Sequence, residues 1–482
     1  MGGGLLQLVS RGQIDEYLTG NPQISFYEYV FKRHTNFSME SRNLDFMSNK
    51  YNKFRNTTGN NMKCQIKRHG DLLGNIFFCF TLPPVYSSDK YRFRWVKNIG
   101  NIIMKEATIT IDGGIVIDKI TGEWMNIWNE LTTISDKYDK MIGNVQELTN
   151  PRVSNDRITI KNNKFIYYYY PESIKPSIAI DTIPKPSIPS RDIVVPLNFW
   201  FTKTPALALP LLRLQLYQIE VSIELELSDK LFQIYSDELN EYISPTFYNE
   251  IYPDNPDGPI DISYFLDESY DLKPFIEANY IFLDNEERLK ICYKPSISYL
   301  AEQTKHTVRT GIIVNENIEI NANLPIKEFV WVFRRDDWYR FNDFTNYSPT
   351  FPESNKGILD KASIRFFNNV RLEEKSATYF NMIQPYQHHT TVPKKGIYCY
   401  SFANFPEKDI LSGYFNGAYI KTNMNIWVEQ NRDSSYLQEK FFKAGLPFYS
   451  PSYNFNYDVS IYSLGYNIFE VVGGQANMKF ST

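Results

Sequence analysis

Five histidines, four cysteines and a few acidic pairs are the residues of this 482-residue chain whose types invite chemistry, and their spacing decides what that chemistry would be. The histidines are His34, His69, His306 and the adjacent pair His388 and His389. A metal-dependent enzyme on a β scaffold of the cupin kind needs two His one residue apart and a Glu a few residues on. Adjacent His388 and His389 would instead point to opposite faces of a strand and could not chelate one ion together. The cysteines, Cys64, Cys79, Cys292 and Cys399, match no zinc or redox spacing; each lies in an apolar or strand-like run and reads as a buried, reduced thiol. The sharper reading, a Cys64–Cys79 disulfide across a hairpin, would need an oxidising compartment. Asp336-Asp337 and Glu373-Glu374 could serve as acid and base only at a set separation in space, and solvated surface is the plainer reading. No nucleophile motif and no phosphate-cradling glycine loop occurs. The expectation is therefore no catalytic, cofactor-binding or metal-ligating residue, no cofactor, and no enzyme.

Other clusters suggest contact rather than catalysis. Arg334-Arg335 beside Asp336-Asp337 and Trp338 reads either as a subunit contact, since Arg and Trp favour interface centres, or as a charged strand end. Four rings in a row, Tyr167 to Tyr170 ahead of Pro171, cannot all face one core, so at least two should meet solvent, another chain or another loop. Sequons stand at Asn36, Asn56 and Asn346; Pro349 after the last disfavours its modification. Leu6 occupies the position that a myristoylated Met1-Gly2 start would fill with Ser or Thr.

The elements that would carry these residues are mostly strands. Aromatics make up 16% of the chain, with 35 Tyr and 34 Phe, and 43% of residues are hydrophobic. With many Ile, Val and Thr, this favours an all-β fold, and the length favours two domains. The 51 basic and 55 acidic residues leave a net charge of -4, without the basic surplus of a nucleic-acid binder. No stretch approaches 18 apolar residues and no signal-peptide order opens the chain, so it reads as soluble and cytosolic.

The chain also repeats itself. Residues 64–80 give a strand, a polar turn at His69-Gly70-Asp71, and a strand with Ile76, Phe78 and Phe80 on one face; residues 318–333 do the same with Phe329, Trp331 and Phe333. That offset is 329 minus 76, or 253. Ile109, Ile111, a Gly113-Gly114 turn, Ile115 and Ile117, then Trp124, match Ile364, Phe366, an Asn368-Asn369 turn, Val370 and Leu372, then Tyr379, at 364 minus 109, or 255. Each is a tight hairpin suited to positive φ with a short helix behind it. Further on, Ile193 to Leu225 resembles Ile397 to Val428 at an offset near 204, with 205 suiting the last strand, so the register there stays open. Tyr280-Ile281-Phe282 and Ser460-Ile461-Tyr462 lie roughly 180 apart. The falling offsets put two proline-bearing loop insertions in the first copy, at about 132–192 and 228–276.

Two such units suit two tandem eight-stranded jelly-roll barrels with long loop insertions and a few short helices, here assigned to 23–295 and 296–482, with a linker around 294–304. Ahead of them, 1–22 reads as an arm: glycines, apolar Leu5 to Val9, and a Gly20-Asn21-Pro22 turn, after which Ile24 to Phe31 reads as a strand. An apolar arm of eight residues cannot bury itself stably and should dock on a partner surface or on the base of its own barrel.

Landmarks along the whole chain resemble one family. They are Gly2 to Val9, Tyr17 to Ile24, Phe31-Lys32-Arg33-His34-Thr35-Asn36, Ile66 to Leu73, Phe199 to Leu211, Tyr280 to Arg288, and the closing Tyr466-Asn467-Ile468, Gly473-Gly474 and Phe480-Ser481. Lys32 departs from the pattern by replacing an Arg. In this order they resemble the major capsid proteins of nucleocytoplasmic large DNA viruses. The resemblance implies a double jelly roll, a homotrimeric capsomer of pseudo-hexagonal outline, and an icosahedral shell assembled in the host cytoplasm. It also implies neighbouring capsomers, minor capsid proteins and inner viral membrane proteins as partners, and no direct sequence-specific nucleic acid binding. Rival readings are a minor double-barrel capsid protein and a carbohydrate-binding jelly-roll module; flattened rows of exposed Trp would favour the second.

Overall fold

The structure, a computed structural model, describes residues 3–480 apart from 30, 48–60, 87–90, 113, 135, 152–157, 162–163, 168–185, 257, 263–271 and 430–454. Sixteen strands carry the fold. In the first half they are β1 (Phe37–Asp45), β2 (Asn61–Ile66), β3 (Leu72–Leu82), β4 (Met104–Ile111), β5 (Ile115–Thr121), β6 (Arg191–Pro196), β7 (Ile219–Leu225) and β8 (Phe275–Leu283). In the second they are β9 (Ser296–Ile312), β10 (Asn315–Ile320), β11 (Pro325–Arg335), β12 (Leu359–Phe366), β13 (Asn369–Ser376), β14 (Ile397–Ser401), β15 (Thr422–Val428) and β16 (Tyr457–Val472). All pairings among them are antiparallel. The first half forms sheets β1-β8-β3-β6 and β2-β7-β4-β5; the second forms β9-β16-β11-β14 and β10-β15-β12-β13. Each strand of the second half thus stands where the strand eight numbers earlier stands in the first: two jelly rolls of one topology.

Period-two alternation explains the sheets. Along β7, Ile219, Val221, Ile223 and Leu225 are buried and the residues between are half-buried; along β15 the same holds for Thr422, Met424, Ile426 and Val428. Strand pairing fixes the open register. Val221 lies opposite Ile109 and Met424 opposite Ile364, an offset of 424 minus 221, or 203. That is two residues from 205, so the faces are those expected. Ile276 pairs with Phe78, and Ile461 with Trp331, giving 461 minus 276, or 185, in place of 180. Both hairpin turns have a left-handed residue at the same repeat position, Asp112 at φ 50° and Phe367 at φ 54°, one residue before the Gly and Asn doublets.

Several expectations are corrected. Ile24 to Phe31 is not a strand: its described residues are irregular and exposed, and two short helices, α1 (Gly3–Val9) and α2 (Gln13–Thr19), precede it. Its β-rich composition finds no ladder partner among the described residues, and an unpaired strand is not stable by itself. β2 and β3 do not pair; the turn at His69 carries the chain from one sheet to the other, and Cys64 and Cys79 are free thiols. Cys292 is exposed, on α4's stretch Asn285–Tyr293, where α3 denotes Gly122–Thr132. α4 follows Asp284 with Glu286 and Glu287 in its first turn, charges suited to a helix amino end. β9 then starts at Ser296, so most of 294–304 is strand rather than linker. The second insertion is not all loop: Phe232–Ser236 pairs with Phe93–Trp95 and Glu241–Ile243, and helix Pro245–Ile251 follows. In the first insertion lie helices Asp136–Met141 and Gln146–Thr149 and a hairpin, Ile158–Lys161 with Lys164–Tyr167; Tyr168, Tyr169, Tyr170 and Pro171 lie outside the described residues, as do Gly2 and Asn56. No helix among the described residues is long and apolar enough to cross a membrane.

Candidate functional sites

The two barrels meet along an apolar seam. α3 begins where Thr121 accepts a hydrogen bond from the Trp124 amide, 3.2 Å, and places Trp124, Ile127 and Leu131 on one face. That face packs on the outer side of the second barrel's sheet, against Val330 and Val332 of β11, Ile397 and Cys399 of β14, and Tyr462 and Leu464 of β16. β11 is therefore buried on both sides, its Phe329, Trp331 and Phe333 lining the second barrel's interior. A second patch joins Ile243, Phe247 and Ile251 to Phe341 and Phe351. Ion pairs flank the apolar contact: Arg334 Nη2 meets Glu123 Oε1 at 3.0 Å, and Lys394 meets Glu130 at 3.2 Å. Arg334 also donates to the Phe344 carbonyl at 2.5 Å.

The Arg334 to Trp338 cluster is thus internal to the chain. Arg335 holds Asp337 with two bonds, 2.8 and 2.6 Å, and both side chains are buried. Glu374 sits on the surface with Lys361 at 2.6 Å. Asn346 is buried, its Nδ2 donating to the Thr350 carbonyl at 3.0 Å, which withdraws that sequon from any enzyme. None of the seven Trp is exposed, so no row of them is offered to a sugar.

Beside α3 lies a small cavity where the charged Asp118, Lys203 and Glu302 meet the rings of Trp124, Trp128 and Trp200. Asp118, on β5, accepts from the Trp200 amide at 2.9 Å and the Lys119 amide at 2.8 Å. Burial pushes its carboxyl up to about 7 against those two donors. Glu302, on β9, bridges Lys203 of the first barrel and Lys327 of the second. Burial opposes its ionisation, but the two ammonium groups prevail and hold it below the usual carboxylate range. Burial lowers Lys327 to about 8, with Glu302 opposing.

One strand residue further on, a second cluster forms. The Glu328 and His389 side chains are wholly buried, with His389 Nε2 2.6 Å from Glu328 Oε1 and Nδ1 3.0 Å from Glu407 Oε1. Burial alone would lower the imidazole; the Glu328 charge leads the groups that push it up to about 12 instead. The Cys399 thiol, raised by burial to about 11, faces the same groups. His388 points elsewhere, to the Asn404 carbonyl at 3.2 Å, because the pair ends a helix, α5 (Gln384–His388), rather than occupying a strand. His34 and His69 are exposed, and His306 stacks on Tyr462 at 4.4 Å. Sequence reasoning missed Glu328 and Lys327, yet they are two charges set between Ile326 and the apolar run Phe329 to Phe333 of β11, and that was the available signal.

Against these covered regions stands the amino end. Every described residue from 3 to 36 is exposed, Leu5, Leu8, Ile14, Leu18, Phe26 and Phe31 among them. Smaller uncovered apolar patches lie at Met382, Ile383 and Tyr386, and at Ile410, Leu411 and Tyr414.

The chain matches a family model described as the major capsid protein N-terminus over residues 25–284, and one described as the large eukaryotic DNA virus major capsid protein over 291–477. It is 27% identical to the major capsid protein of Phaeocystis pouchetii virus, with 100% of both chains covered. It is 32% identical to capsid protein 1 of Acanthamoeba polyphaga mimivirus over 72% of this chain and 51% of that one. Among solved structures, PBCV-1 VP54, fitted into a reconstruction of the virophage Sputnik, superposes with a TM-score of 0.65 at 20% identity, covering 95% of this chain and 100% of that one. The Faustovirus major capsid protein does so with a TM-score of 0.65 at 12% identity, covering 96% and 94%.

Proposed function

Since the chain belongs to the major capsid proteins of large eukaryotic DNA viruses, a structural component of the virion, we propose that it builds the icosahedral shell as a homotrimer of nearly hexagonal outline. The observation that carries this reading is the matched pair of eight-stranded barrels, held against each other within one chain by a buried apolar seam. Three such chains set six barrels of like shape around one axis, and a hexagonal unit tiles a flat facet. Its mechanism is geometric: obligate trimer contacts burying roughly 2,000 to 5,000 Å² fix the unit, and weaker edge contacts let the lattice correct its errors. No catalytic step is needed.

The same reading divides the chain into an arm, 1–22, and barrels at 23–295 and 296–482. The uncovered apolar arm docks at the inner face of the shell, on minor capsid proteins and beside inner viral membrane proteins; neighbouring capsomers take the sides. Assembly takes place in the host cytoplasm, and the near-balanced charge fits a shell that does not bind nucleic acid sequence-specifically. The test is the solution mass of the tag-free protein by light scattering behind a sizing column, at two concentrations and two salt levels. A species near three times 56.6 kDa that survives dilution is expected; a clean monomer overturns the capsomer reading.

A further inference from the structure

The Glu328, His389 and Cys399 side chains converge in a way that the shell function does not use. Val330 pairs with Cys399 across β11 and β14, so Glu328, two residues before Val330, lies diagonal to Cys399 on the same sheet face. His389 descends on that face from the end of α5. One donor atom from each of the three lies within 4.8 Å of the other two. Among the described residues the second oxygen of Glu328, Oε2, accepts no hydrogen bond, although the side chain is wholly buried. A wholly buried carboxylate converging on an imidazole and a thiol points to a cation.

We propose that Glu328, His389 and Cys399 form a zinc site with three protein ligands, whose outer side faces Glu407. A mixed oxygen, nitrogen and sulfur donor set suits zinc better than magnesium or calcium, which take oxygen. Tetrahedral ligands bound at about 2.0–2.3 Å stand roughly 3.3–3.8 Å apart, so on binding the donors now up to 4.8 Å apart close by as much as about an ångström while the 2.6 Å contact between Glu328 and His389 opens. His389 Nε2 turns from the Glu328 oxygen to the metal. Nδ1 keeps its proton and its contact with Glu407, the outer carboxylate that fixes the tautomer of a metal-bound histidine. Thr390 in turn holds Glu407 through its backbone amide at 2.8 Å. A water completes the tetrahedron on the side of Glu407, whose side chain is 21% exposed. The exchange balances: zinc enters as a dication, the Nε2 proton of the imidazolium and the thiol proton leave to solvent, and the carboxylate is unchanged.

The competing state keeps those protons and no metal, as a Glu328, imidazolium and Glu407 triad. The test uses the full-length, tag-free protein expressed with added zinc, dialysed, and measured for metal by plasma mass spectrometry. About one zinc per chain is expected, and refolding with cobalt in place of zinc should give a thiolate-to-cobalt charge-transfer band. Cys399→Ser should abolish that band, and His389→Gln should lower bound zinc at least tenfold. A wild-type protein without zinc whose cobalt form lacks the band overturns the site, as does full zinc retention in both variants. The wild-type metal content and cobalt spectrum decide the matter even if a variant fails to fold.

Discussion

The seam and the arm are both apolar, and they differ in whether the chain supplies its own cover. At the seam, Trp124, Ile127 and Leu131 find a sheet face in the second barrel and disappear from solvent. At the amino end, leucines and aromatics of equal appetite stay uncovered along the described residues of irregular chain and short helix from 3 to 36. A helix of seven residues is marginal alone and gains its stability from what it packs against. The contrast teaches that apolar content does not say whether a segment belongs to the monomer's core or to an assembly; only an opposing face does.

The largest break in that contrast comes from Trp124→Ala, which empties the centre of the seam. It should cost about 3–5 kcal/mol in denaturant unfolding, while Leu8→Ala in the arm changes stability by less than about 0.5 kcal/mol. If the two substitutions cost the same, the distinction between covered and uncovered falls. Next in size is a pH effect confined to the seam. Asp118 has a folded value near 7 against an ordinary 3.8, so the folded state binds the extra proton between those values. Its contribution is intact below pH 3.8 and is lost as pH rises through 7, by as much as about 4 kcal/mol. Asp118→Asn should flatten that part of the stability curve measured by denaturation from pH 4 to 8. Smaller still is Glu123→Gln, which leaves Arg334 without its counter-charge; about 1–3 kcal/mol is expected, and Arg334→Met on the same background should recover part of it. The smallest effect on the monomer, and the sharpest on assembly, belongs to removal of residues 1–22: no change in the melting midpoint beyond error, with loss of binding to inner-face partners in a co-sedimentation assay.

What was legible in the sequence follows from the range over which each signal acts. Alternation acts over two residues, so the inward faces of β3, β7, β11 and β15 could be read directly. Hairpin chemistry acts over four, and the turns at Asp112 and Phe367 fell at the same repeat position. The family resemblance, spread along the whole chain, carried the double barrel itself. Sheet membership was not legible, because β2 and β3 are neighbours in sequence yet belong to opposite sheets. Nor were the buried charge clusters: Glu123 meets Arg334 211 positions away, being 334 minus 123, and His389 meets Glu328 61 away, being 389 minus 328. Such pairs follow from the fold and leave only a weak local mark, charges placed within an apolar strand. Ile24 to Phe31 failed for the opposite reason, since its local β signal was strong and no described strand pairs with it.

The seam also sets a clock. α3 leaves the ribosome complete at Thr132, but the last residue that covers it, Leu464, comes 332 positions later, being 464 minus 132. At roughly 5–20 residues per second, the face bearing Trp124, Ile127 and Leu131 waits about 17 to 66 seconds for its counterpart on every chain made. Over that interval the nascent first barrel carries a sticky stripe that the finished protein hides. Slowing translation beyond Thr132 should therefore raise the aggregated fraction, and supplying a holding chaperone in that window should lower it.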